Sequence, residues 1–322
     1  MTMVKLTDSR ILITGINGFV GSHLYKALEK KGFMVFGMDM RVRENSLGGN
    51  QDEGNSSSFF SCDITDADAV TQVMIKVQPT HIFHLAASLN KDPAKAEQSM
   101  AVNVQGTQNI VDAIKRVQQK KKDSFVFKQL IALDTSEGYA GNVPYSEKSP
   151  VVARTSYSVS KQRMTQFLLK EYSHNAFPVT ILRPSIIYGP GQKGTMFIPS
   201  LIAALTEGRQ FEMTKGEQTR DFIFIKDLVA ALLIVLDNKR CLGEIINLGS
   251  GEEISLKEIA ETVLHILKKN QDSVSLSLPY RENEQMRYVL NISKARQLLD
   301  WQPSISIEEG LKRTIEWFRD NQ

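Results

Sequence analysis

Residues 11–21 read ILITGINGFVG, an apolar run followed by a turn with three glycines and by a helical pattern that continues to about Lys31. In such a turn Gly15 permits the tight bend, Gly18 lets the backbone approach a pyrophosphate, and Gly21 lets the helix pack closely on the strand. The N-terminus of the helix also attracts negative charge. Because the glycines stand between a strand and a helix, the pattern predicts a dinucleotide-binding unit.

Short β-rich runs alternate with helical patterns along the first half of the chain. These runs are residues 11–14, 35–38, 59–62, 81–85, 125–133 and 179–182. Such alternation predicts an α/β fold, a Rossmann-type doubly wound parallel sheet covered by helices. The rhythm loosens in a Pro- and Gly-rich loop after Arg183. We therefore predict a dinucleotide-binding domain over residues 1–182, a smaller C-terminal α/β lobe over residues 183–322, and a polar loop at residues 45–57.

Composition and charge exclude several classes of protein. Hydrophobic residues make up 42% of the 322 residues, and 39 basic and 36 acidic side chains leave a formal net charge of only +3, so no basic field for nucleic acid is present. The apolar run 229–236 is far shorter than the ~20 residues of a membrane span, and no signal-peptide pattern is evident. The two cysteines and five histidines show no metal-ligand spacing, so we expect a cytoplasmic protein without a bound metal.

An acidic residue ends the second predicted strand. Asp39 lies 18 positions after Gly21, where a carboxylate can accept hydrogen bonds from the adenosine ribose hydroxyls and would repel a 2′-phosphate. It favours NAD, whereas Arg41 and Arg43 follow closely enough to accommodate that phosphate and leave NADP open. Asp63, after the third strand, could lie at the adenine or could be a turn or helix-capping residue.

Tyr157 and Lys161 are four residues apart in a stretch with helical spacing, so their side chains project from the same face. A tyrosine with an ordinary pKa of about 10 is a poor base at neutral pH. A cation about 5 Å away stabilises the phenolate by roughly 3 kcal/mol at an effective dielectric constant of about 20, which lowers the pKa by about 2. The pair predicts acid–base chemistry, with Lys161 lowering the pKa of Tyr157.

Further motifs follow in the order in which a known enzyme family carries them. They are TGINGFVG (14–21), HLAA (84–87), NVQGT (103–107), TSEGY (135–139), SYSVSK (156–161), RPSIIYGPG (183–191), RDF (220–222) and NLGSG (247–251). On these residues the chain resembles, over essentially its whole length, the extended short-chain dehydrogenase/reductase family, specifically the branch that modifies nucleotide sugars. The resemblance implies an NAD or NADP cofactor and a nucleotide-sugar substrate bound by the C-terminal lobe.

The resemblance also implies roles for individual residues. Tyr157 would take the proton of a sugar hydroxyl while C4 of the sugar gives up hydride to the nicotinamide, and Lys161 would hold the nicotinamide ribose. The implied cofactor-binding residues are Gly15, Asn17, Gly18, Phe19, Val20, Gly21, Asp39, Arg41, Asp63, Ile64, Leu85, Ala86, Ala87, Asn103, Tyr157 and Lys161.

Residues 135–137 distinguish reactions within the family. Dehydratases that form 4-keto-6-deoxy sugars resemble Thr-Asp-Glu, or Thr-Ser-Glu in the GDP-mannose type, whereas epimerases usually lack the carboxylates. The resemblance therefore places Thr135, Ser136 and Glu137 in the catalytic motif. Thr135 would hydrogen-bond the reacting oxygen, and Glu137 would remove the C5 proton that a C4 ketone acidifies. The implied reaction is a 4,6-dehydration that yields a 4-keto-6-deoxy or 5,6-ene sugar nucleotide, of a UDP-N-acetylglucosamine or GDP-mannose type among others.

The substrate diphosphate is expected on the C-terminal lobe. Residues 281–287 resemble the phosphate-binding tail of both dehydratases and 4-keto reductases, and guanidinium groups match phosphate oxygens. The implied substrate-binding residues are Ser88, Arg183, Ser185, Arg220 and Arg287. UDP, GDP, dTDP and CDP all stay open as the nucleotide.

Three other functions stay open. A nucleotide-sugar 4-epimerase and a 4-keto reductase share the cofactor and the Tyr–Lys pair but do not need Glu137. A dinucleotide-sensing protein without turnover would not need Thr135, Tyr157 and Lys161 together. The resemblance also implies a homodimer, formed by the predicted helix at about residues 94–118 and by the helix that bears Tyr157.

Overall fold

The computed structural model of the protein describes residues 9–40, 58–121, 124–193 and 195–321. Its strands are β1 (Arg10–Thr14), β2 (Met34–Asp39), β3 (Phe59–Ser61), β4 (His81–His84), β5 (Gln129–Leu133), β6 (Val179–Pro184), β7 (Ile186–Tyr188), β8 (Phe211–Glu212), β9 (Thr219–Arg220), β10 (Phe222–Phe224), β11 (Ile245–Leu248), β12 (Ile254–Ser255) and β13 (Val274–Ser275). Its α-helices are α1 (Phe19–Lys30), α2 (Ala67–Val77), α3 (Ala96–Met100), α4 (Gly106–Lys120), α5 (Ser156–Asn175), α6 (Phe197–Thr206), α7 (Ile225–Val235), α8 (Leu256–Leu267), α9 (Ser293–Leu299) and α10 (Ile307–Asp320). The predicted loop at residues 45–57 lies outside the described residues.

In the described part of the chain, seven strands form one sheet in the order β11-β6-β5-β4-β1-β2-β3. β1 pairs in parallel with β2, placing Ile13 opposite Gly37, and with β4, placing Ile13 opposite Phe83. β4, β5 and β6 are buried along their whole length, as expected for a parallel sheet covered on both faces. The strand order reverses beside β1, which is where doubly wound sheets bind ligands. The predicted Rossmann fold is confirmed.

Helices pack on this sheet through regularly spaced apolar residues. The buried residues of α1 are Gly21, Leu24 and Leu28, which share one face because they are three and four positions apart. Buried side chains of α2 and α4 join the same apolar cluster as Leu12 and Ile82 of the sheet. The turn after β1 is therefore held by a rigid core.

The predicted long helix at about residues 94–118 has a wide turn inside it. A 3₁₀ turn, Pro93–Lys95, leads into α3, and a π-helical turn, Ala101–Gln105, joins α3 to α4. Such π turns are frequent at functional sites. This one carries Asn103, whose side chain is fully buried.

Two predicted segments differ in the structure. The run 125–133 is a strand only over β5, because Phe127 stacks on Phe177 and the segment before β5 fills the core instead of pairing with a strand. The predicted loop after Arg183 contains β7, which pairs in parallel with β10. β7 is only three residues long, so its pattern of apolar residues is too short to be recognised as a strand in the sequence.

The chain forms two compact units. The first comprises Met1–Tyr139, Val151–Arg183 and Leu232–Ile246, and the second comprises Ala140–Pro150, Pro184–Ala231 and Asn247–Gln322. Each unit is built from three separate segments of the chain. The predicted domains, 1–182 and 183–322, are each a single continuous segment. Within the second unit, the two-stranded pairs β9 with β12 and β8 with β13 accompany a helical core in which α6 and α10 contact α8.

Candidate functional site

The turn after β1 leaves no room for side chains at two of its glycines. Gly15 has a φ of +71°, and a Cβ atom on it would lie 2.7 Å from the backbone nitrogen of Ala86. A Cβ atom on Gly21 would lie 2.3 Å from the carbonyl oxygen of Gly15. The bare backbone at this helix N-terminus suits the close approach of a pyrophosphate. Of the predicted cofactor residues, Gly18 is the N-cap of α1, and Phe19 and Val20 are its first two residues.

The predicted ribose acceptor is tied to this turn. Asp39, the last residue of β2, accepts a hydrogen bond through Oδ2 from the amide of Asn17 at 3.0 Å. The bond holds the carboxylate within two residues of the start of α1 along the chain, where a ribose next to the pyrophosphate would need an acceptor. Arg41, predicted as a cofactor residue, and Arg43 lie outside the described residues.

Asn103 is a predicted cofactor residue whose side chain is hydrogen-bonded within the protein. Its Oδ1 accepts from the Ser88 amide at 2.8 Å, and its Nδ2 donates to the Ser88 carbonyl at 3.0 Å and to Ser160 Oγ at 2.8 Å. This side chain is fully buried and fixes the loop after β4 against α5, and its contact with the cofactor stays a prediction. Ser88, predicted for the substrate, is thus held by both of its backbone groups.

His84 is the last residue of β4 and directly precedes the loop that carries Leu85, Ala86 and Ala87. Its Nδ1 is 2.8 Å from Thr14 Oγ1 and its Nε2 is 2.8 Å from Thr107 Oγ1. The Thr14 hydroxyl also accepts the amides of Leu85 and Ala86 at 3.2 Å. Burial, and to a smaller extent the charge of Lys161, lowers the pKa of His84 to about 3. The imidazole is therefore neutral at physiological pH and links three elements of the first unit.

Acid is expected to destabilise the protein through His84. Its pKa is about 3 in the folded protein and about 6.5 in an unfolded chain, so the unfolded chain takes up the proton first. Stability is therefore highest above about pH 6.5 and falls as the pH drops toward about pH 3. Between pH 7 and about pH 5 this group should remove about 2 kcal/mol from the free energy of unfolding, measured in urea.

The matched variants are His84→Gln and His174→Gln, the second of which alters an exposed histidine on α5. His84→Gln should lose about 2 kcal/mol less on acidification than the unaltered protein, and His174→Gln should follow the unaltered protein. Equal losses in all three proteins would contradict the assignment of the proton to His84.

The turn after β3 holds two further predicted cofactor residues. Asp63 is exposed, and its Oδ1 accepts from the amide and the hydroxyl of Thr65, each at 2.9 Å. Ile64 is buried, and its carbonyl accepts from Asn109 at 2.9 Å. Both residues thus shape the turn, and a contact between Asp63 and adenine stays a prediction.

The N-terminus of α5 sets the position of Tyr157. Thr155 is the N-cap, and it forms a reciprocal capping box with Ser158, an arrangement that satisfies backbone donors of the first turn. Tyr157 is the second residue of the helix and hydrogen-bonds with Thr135, which follows β5. Two of the predicted catalytic side chains are therefore in contact.

The pKa of Tyr157 shifts in the direction opposite to the one predicted. Burial raises it most, the charges of Asp134 and Glu137 raise it further, and the hydrogen bond with Thr135 lowers it. The expectation of a lowered pKa is wrong for this arrangement, because burial and the two carboxylates raise the pKa of Tyr157. Added positive charge would favour the phenolate.

Lys161 is buried one turn along the same helix. Its Nζ donates to the carbonyl of Leu133, the last residue of β5, at 2.6 Å. Burial lowers the pKa of Lys161 to about 8, and the charge of Asp134 opposes this effect. A pKa of about 8 leaves most of the group charged at neutral pH, so Lys161 keeps donors that could reach a ribose hydroxyl.

Asp134 and Arg183 form a buried ion pair that the sequence did not predict. Arg183 Nε donates to Asp134 Oδ2 at 2.6 Å, and Nη1 donates to the Tyr139 hydroxyl at 3.1 Å. The side chains of Arg183 and Asp134 are only 6% and 2% exposed. A buried guanidinium needs a charged partner, which Asp134 provides here, and a contact between Arg183 and the substrate stays a prediction. Nothing in the spacing connects two residues 49 positions apart.

Glu137 lies beside the tyrosine and has two polar partners. Its Oε1 accepts from Thr155 Oγ1 at 2.7 Å, and its Oε2 is paired with Lys91 Nζ at 2.6 Å. The side chain is 27% exposed, and its charge contributes to the raised pKa of Tyr157. Ser136, the remaining residue of the predicted catalytic motif, is buried. No motif in the sequence indicates that Lys91 and Thr155 contact Glu137.

The two predicted diphosphate ligands are paired with carboxylates of the second unit. Arg220 binds Glu284 and donates to the Gln285 carbonyl at 2.7 Å. Arg287 binds both oxygens of Glu253, at 3.0 and 2.6 Å. The Arg287 side chain is 66% exposed, so an anion can reach it.

A cleft of about 490 Å³ opens beside Arg287 in the second unit. Gln285 lines it and donates to the Tyr145 hydroxyl at 2.6 Å. The other predicted substrate residue of this unit, Ser185, is buried close to Asp221. Its contact with the substrate stays a prediction. The lining residues of the cleft are Gly141, Asn142, Val143, Tyr145, Gln285 and Arg287.

The described ranges, 9–40, 58–121, 124–193 and 195–321, contain neither a metal-binding cluster nor a membrane-spanning helix. No group of three or more His, Cys, Asp and Glu side chains there could hold a metal ion. None of the helices in those ranges combines the length and the apolar character needed to cross a bilayer. Cys62 and Cys241 are both buried.

Known proteins resemble this chain over nearly its whole length. A family model described as GDP-mannose 4,6 dehydratase matches residues 12–314. A dTDP-D-glucose 4,6-dehydratase from Homo sapiens is 30% identical over 326 residues, which cover 97% of this chain and 90% of that protein. A UDP-N-acetyl-alpha-D-glucosaminuronate decarboxylase from Bacillus cytotoxicus is 32% identical over 97% of this chain and 98% of that protein.

A solved structure of similar fold contains a dinucleotide. It is a dTDP-glucose 4,6-dehydratase from Bacillus anthracis in complex with NAD, with a TM-score of 0.84 and 25% identity over 98% of this chain and 97% of that one. The family model and these relatives point to the same kind of protein as the glycine turn and the Tyr–Lys pair do. The chain belongs to the extended short-chain dehydrogenase/reductase family, in its branch of nucleotide-sugar dehydratases and epimerases.

Proposed function

We propose that the protein is an NAD-dependent nucleotide-sugar 4,6-dehydratase. The observation that carries this proposal is the position of Glu137, a partly exposed carboxylate whose charge reaches Tyr157. Oxidation and reduction at C4 need a proton acceptor such as Tyr157, whereas elimination needs a second base at C5. The relatives named as dTDP-glucose 4,6-dehydratases support this reaction class.

The first unit fits NAD. A Cβ atom at Gly15 or Gly21 would collide with neighbouring backbone, so the turn presents bare backbone to a pyrophosphate, and Asp39 suits a ribose that carries a free 2′-hydroxyl. Lys161 would bind the nicotinamide ribose. When bound, NAD supplies the hydride acceptor and the positive charge of its oxidised ring. The NAD complex of the relative from Bacillus anthracis supports this assignment.

The residues of this chain divide the proton transfers between them. Tyr157 accepts the proton of the C4 hydroxyl, with Thr135 orienting the oxygen, while hydride leaves C4 and a ketone forms. The ketone acidifies the C5 proton, which Glu137 accepts. The electron pair of that bond forms the C5–C6 double bond and the C6 hydroxyl leaves as water. Return of hydride to C6 and of a proton to C5 gives the 4-keto-6-deoxy sugar.

Substrate binding is proposed for Arg220 and Arg287. Phosphate oxygens would take the place of Glu284 and Glu253, with which these arginines are now paired. A guanidinium can bind a phosphate through two parallel hydrogen bonds. A homodimer through α4 and α5 also belongs to this proposal.

The product identifies the reaction. The purified protein would be incubated with NAD and a panel of UDP-, dTDP-, GDP- and CDP-hexoses and hexuronates, and the products analysed by mass spectrometry. Loss of one water supports the dehydratase. An isomer of unchanged mass indicates the 4-epimerase, as in the relative named a UDP-glucuronate 4-epimerase, and loss of carbon dioxide from a hexuronate indicates a decarboxylase.

NAD is expected to bind more tightly than NADP because Asp39 would accept hydrogen bonds from the ribose hydroxyls and repel a 2′-phosphate. A hydrogen bond to a charged acceptor contributes about 1.5–3 kcal/mol, so the preference should be about tenfold or more. Titration of the cofactor-free protein with both dinucleotides measures it, and Asp39→Asn should reduce the difference. Tighter binding of NADP would mean that Arg41 or Arg43 determines the choice.

A further inference from the structure

Elimination of water needs a proton donor at C6, because hydroxide is a poor leaving group. The groups already assigned do not supply that proton. Tyr157 exchanges its proton with the C4 oxygen, and Glu137 takes the C5 proton. Ser136 carries a hydroxyl that is not acidic at neutral pH and is buried. Asp134 is buried in its pair with Arg183.

Lys91 is the charged group that touches Glu137 directly. Its Nζ lies 2.6 Å from Glu137 Oε2, and 55% of its side chain is exposed. An ammonium group has three protons to donate and can lose one. Because C5 and C6 of a hexose are adjacent atoms, a base that reaches the C5 proton brings its partner ammonium close to the C6 hydroxyl.

The loop that carries Lys91 is fixed at the next residue, Asp92. Ser156, the first residue of α5, donates through Oγ to the Asp92 carbonyl at 2.8 Å. The Asp92 amide donates to Asn90 Oδ1 at 3.0 Å. Lys91 is therefore held next to the start of α5 by bonds that do not involve its own charge. An exposed ion pair contributes little to stability, so a structural role does not explain the pair.

We propose that Lys91 is the general acid that protonates the departing C6 hydroxyl, an inference that rests on the proposed dehydratase function. The C5–H bond breaks and its proton passes to Glu137. The electron pair forms the C5–C6 double bond, the C6–O bond breaks, and one proton of the Lys91 ammonium joins the departing hydroxide to form water. Lys91 is then neutral and Glu137 protonated, and transfer of a proton across their short contact can restore both charges.

Three variants test this role: Lys91→Ala, Lys91→Arg and the control Lys95→Ala, which removes an exposed lysine of the neighbouring 3₁₀ turn. Each is incubated in heavy water with NAD and the substrate found in the product panel. Dehydrated product and deuterium at C5 of the recovered substrate are measured separately. Lys91→Ala should form product about 10²-fold more slowly or worse while C5 exchange continues, since Glu137 is intact.

Lys91→Arg distinguishes a proton donor from a mere positive charge. A guanidinium can keep the pairing with Glu137 but is not deprotonated in proteins, so product formation should stay slow. Lys95→Ala should equal the unaltered protein. Full activity of Lys91→Arg, full activity of Lys91→Ala, or loss of C5 exchange in Lys91→Ala would each overturn the assignment of Lys91 as the acid. If the unaltered protein forms no dehydrated product at all, the proposed function itself fails, and the role of Lys91 fails with it.

Discussion

Replacing Tyr157 by phenylalanine is expected to lower kcat by about 10² to 10⁴ fold, the range for loss of a general acid–base group. The change removes only the hydroxyl that hydrogen-bonds with Thr135, so the ring, the helix and the nearby Lys161 are kept. KM should change little, because the lost interaction serves the transition state more than the bound substrate. Steady-state kinetics on the substrate found in the product panel measures both constants.

A matched control lies on the same helix. Tyr172 is 39% exposed, and Tyr172→Phe removes a hydroxyl at the far end of α5 from Tyr157. It should leave kcat and KM unchanged. A Tyr157→Phe protein that turns over at the rate of the control would show that another group moves the proton at C4. Circular dichroism of the two variants would establish that neither has lost helix.

The elements closest to the cofactor could be predicted because their chemistry is local in sequence. The bend at Gly15 and the close contact at Gly21 depend on residues within one strand–turn–helix unit, and both occur in the structure at the predicted place. The pairing of β1 with β2 and β4 follows from the alternation of strands and helices. Tyr157 and Lys161 share a helix face because four residues make about one turn.

The electrostatics of the site could not be predicted because it depends on residues distant in sequence. Spacing gives Tyr157 a cationic neighbour, but it predicts neither the burial that raises the pKa of this tyrosine most nor the nearby charge of Asp134 that raises it further. Asp134 also pairs with Arg183, although an arginine, taken from the sequence alone, suggests a phosphate ligand. Charges act through space, so their effects on a pKa can be assigned only when the three-dimensional positions of the charged groups are known.

The partners of Glu137 could not be predicted from the sequence either. The motif Thr-Ser-Glu identifies a carboxylate after β5, but its partners come from the loop after β4 and from the cap of α5. Lys91 lies in a polar stretch whose sequence is typical of any solvated loop. Only the parallel pairing of β4 with β5 brings those two loops to the same edge of the sheet.

Glu137→Gln is expected to separate oxidation from elimination. The amide keeps an oxygen that can accept from Thr155 Oγ1, now 2.7 Å from the carboxylate, so the start of α5 should stay folded. Thr135, Tyr157 and Lys161 are unchanged, so C4 oxidation should proceed. Dehydration should fall by about 10² to 10⁴ fold, because an amide cannot accept the C5 proton. Reduced cofactor should therefore accumulate and be visible by its absorbance.

Deuterium at C5 then decides which step Glu137 serves. In heavy water the Glu137→Gln protein should return substrate with almost no deuterium at C5, whereas the product of the unaltered protein should carry it and Lys91→Ala should still exchange it. Glu97→Gln, which alters an exposed carboxylate on α3, should match the unaltered protein in both measurements. Normal dehydration by Glu137→Gln would exclude Glu137 as the base. An unaltered protein that never incorporates deuterium at C5 would exclude elimination itself, and the site would then be that of a 4-epimerase or a 4-keto reductase, which exchange hydride at C4 and leave the C5–H bond intact.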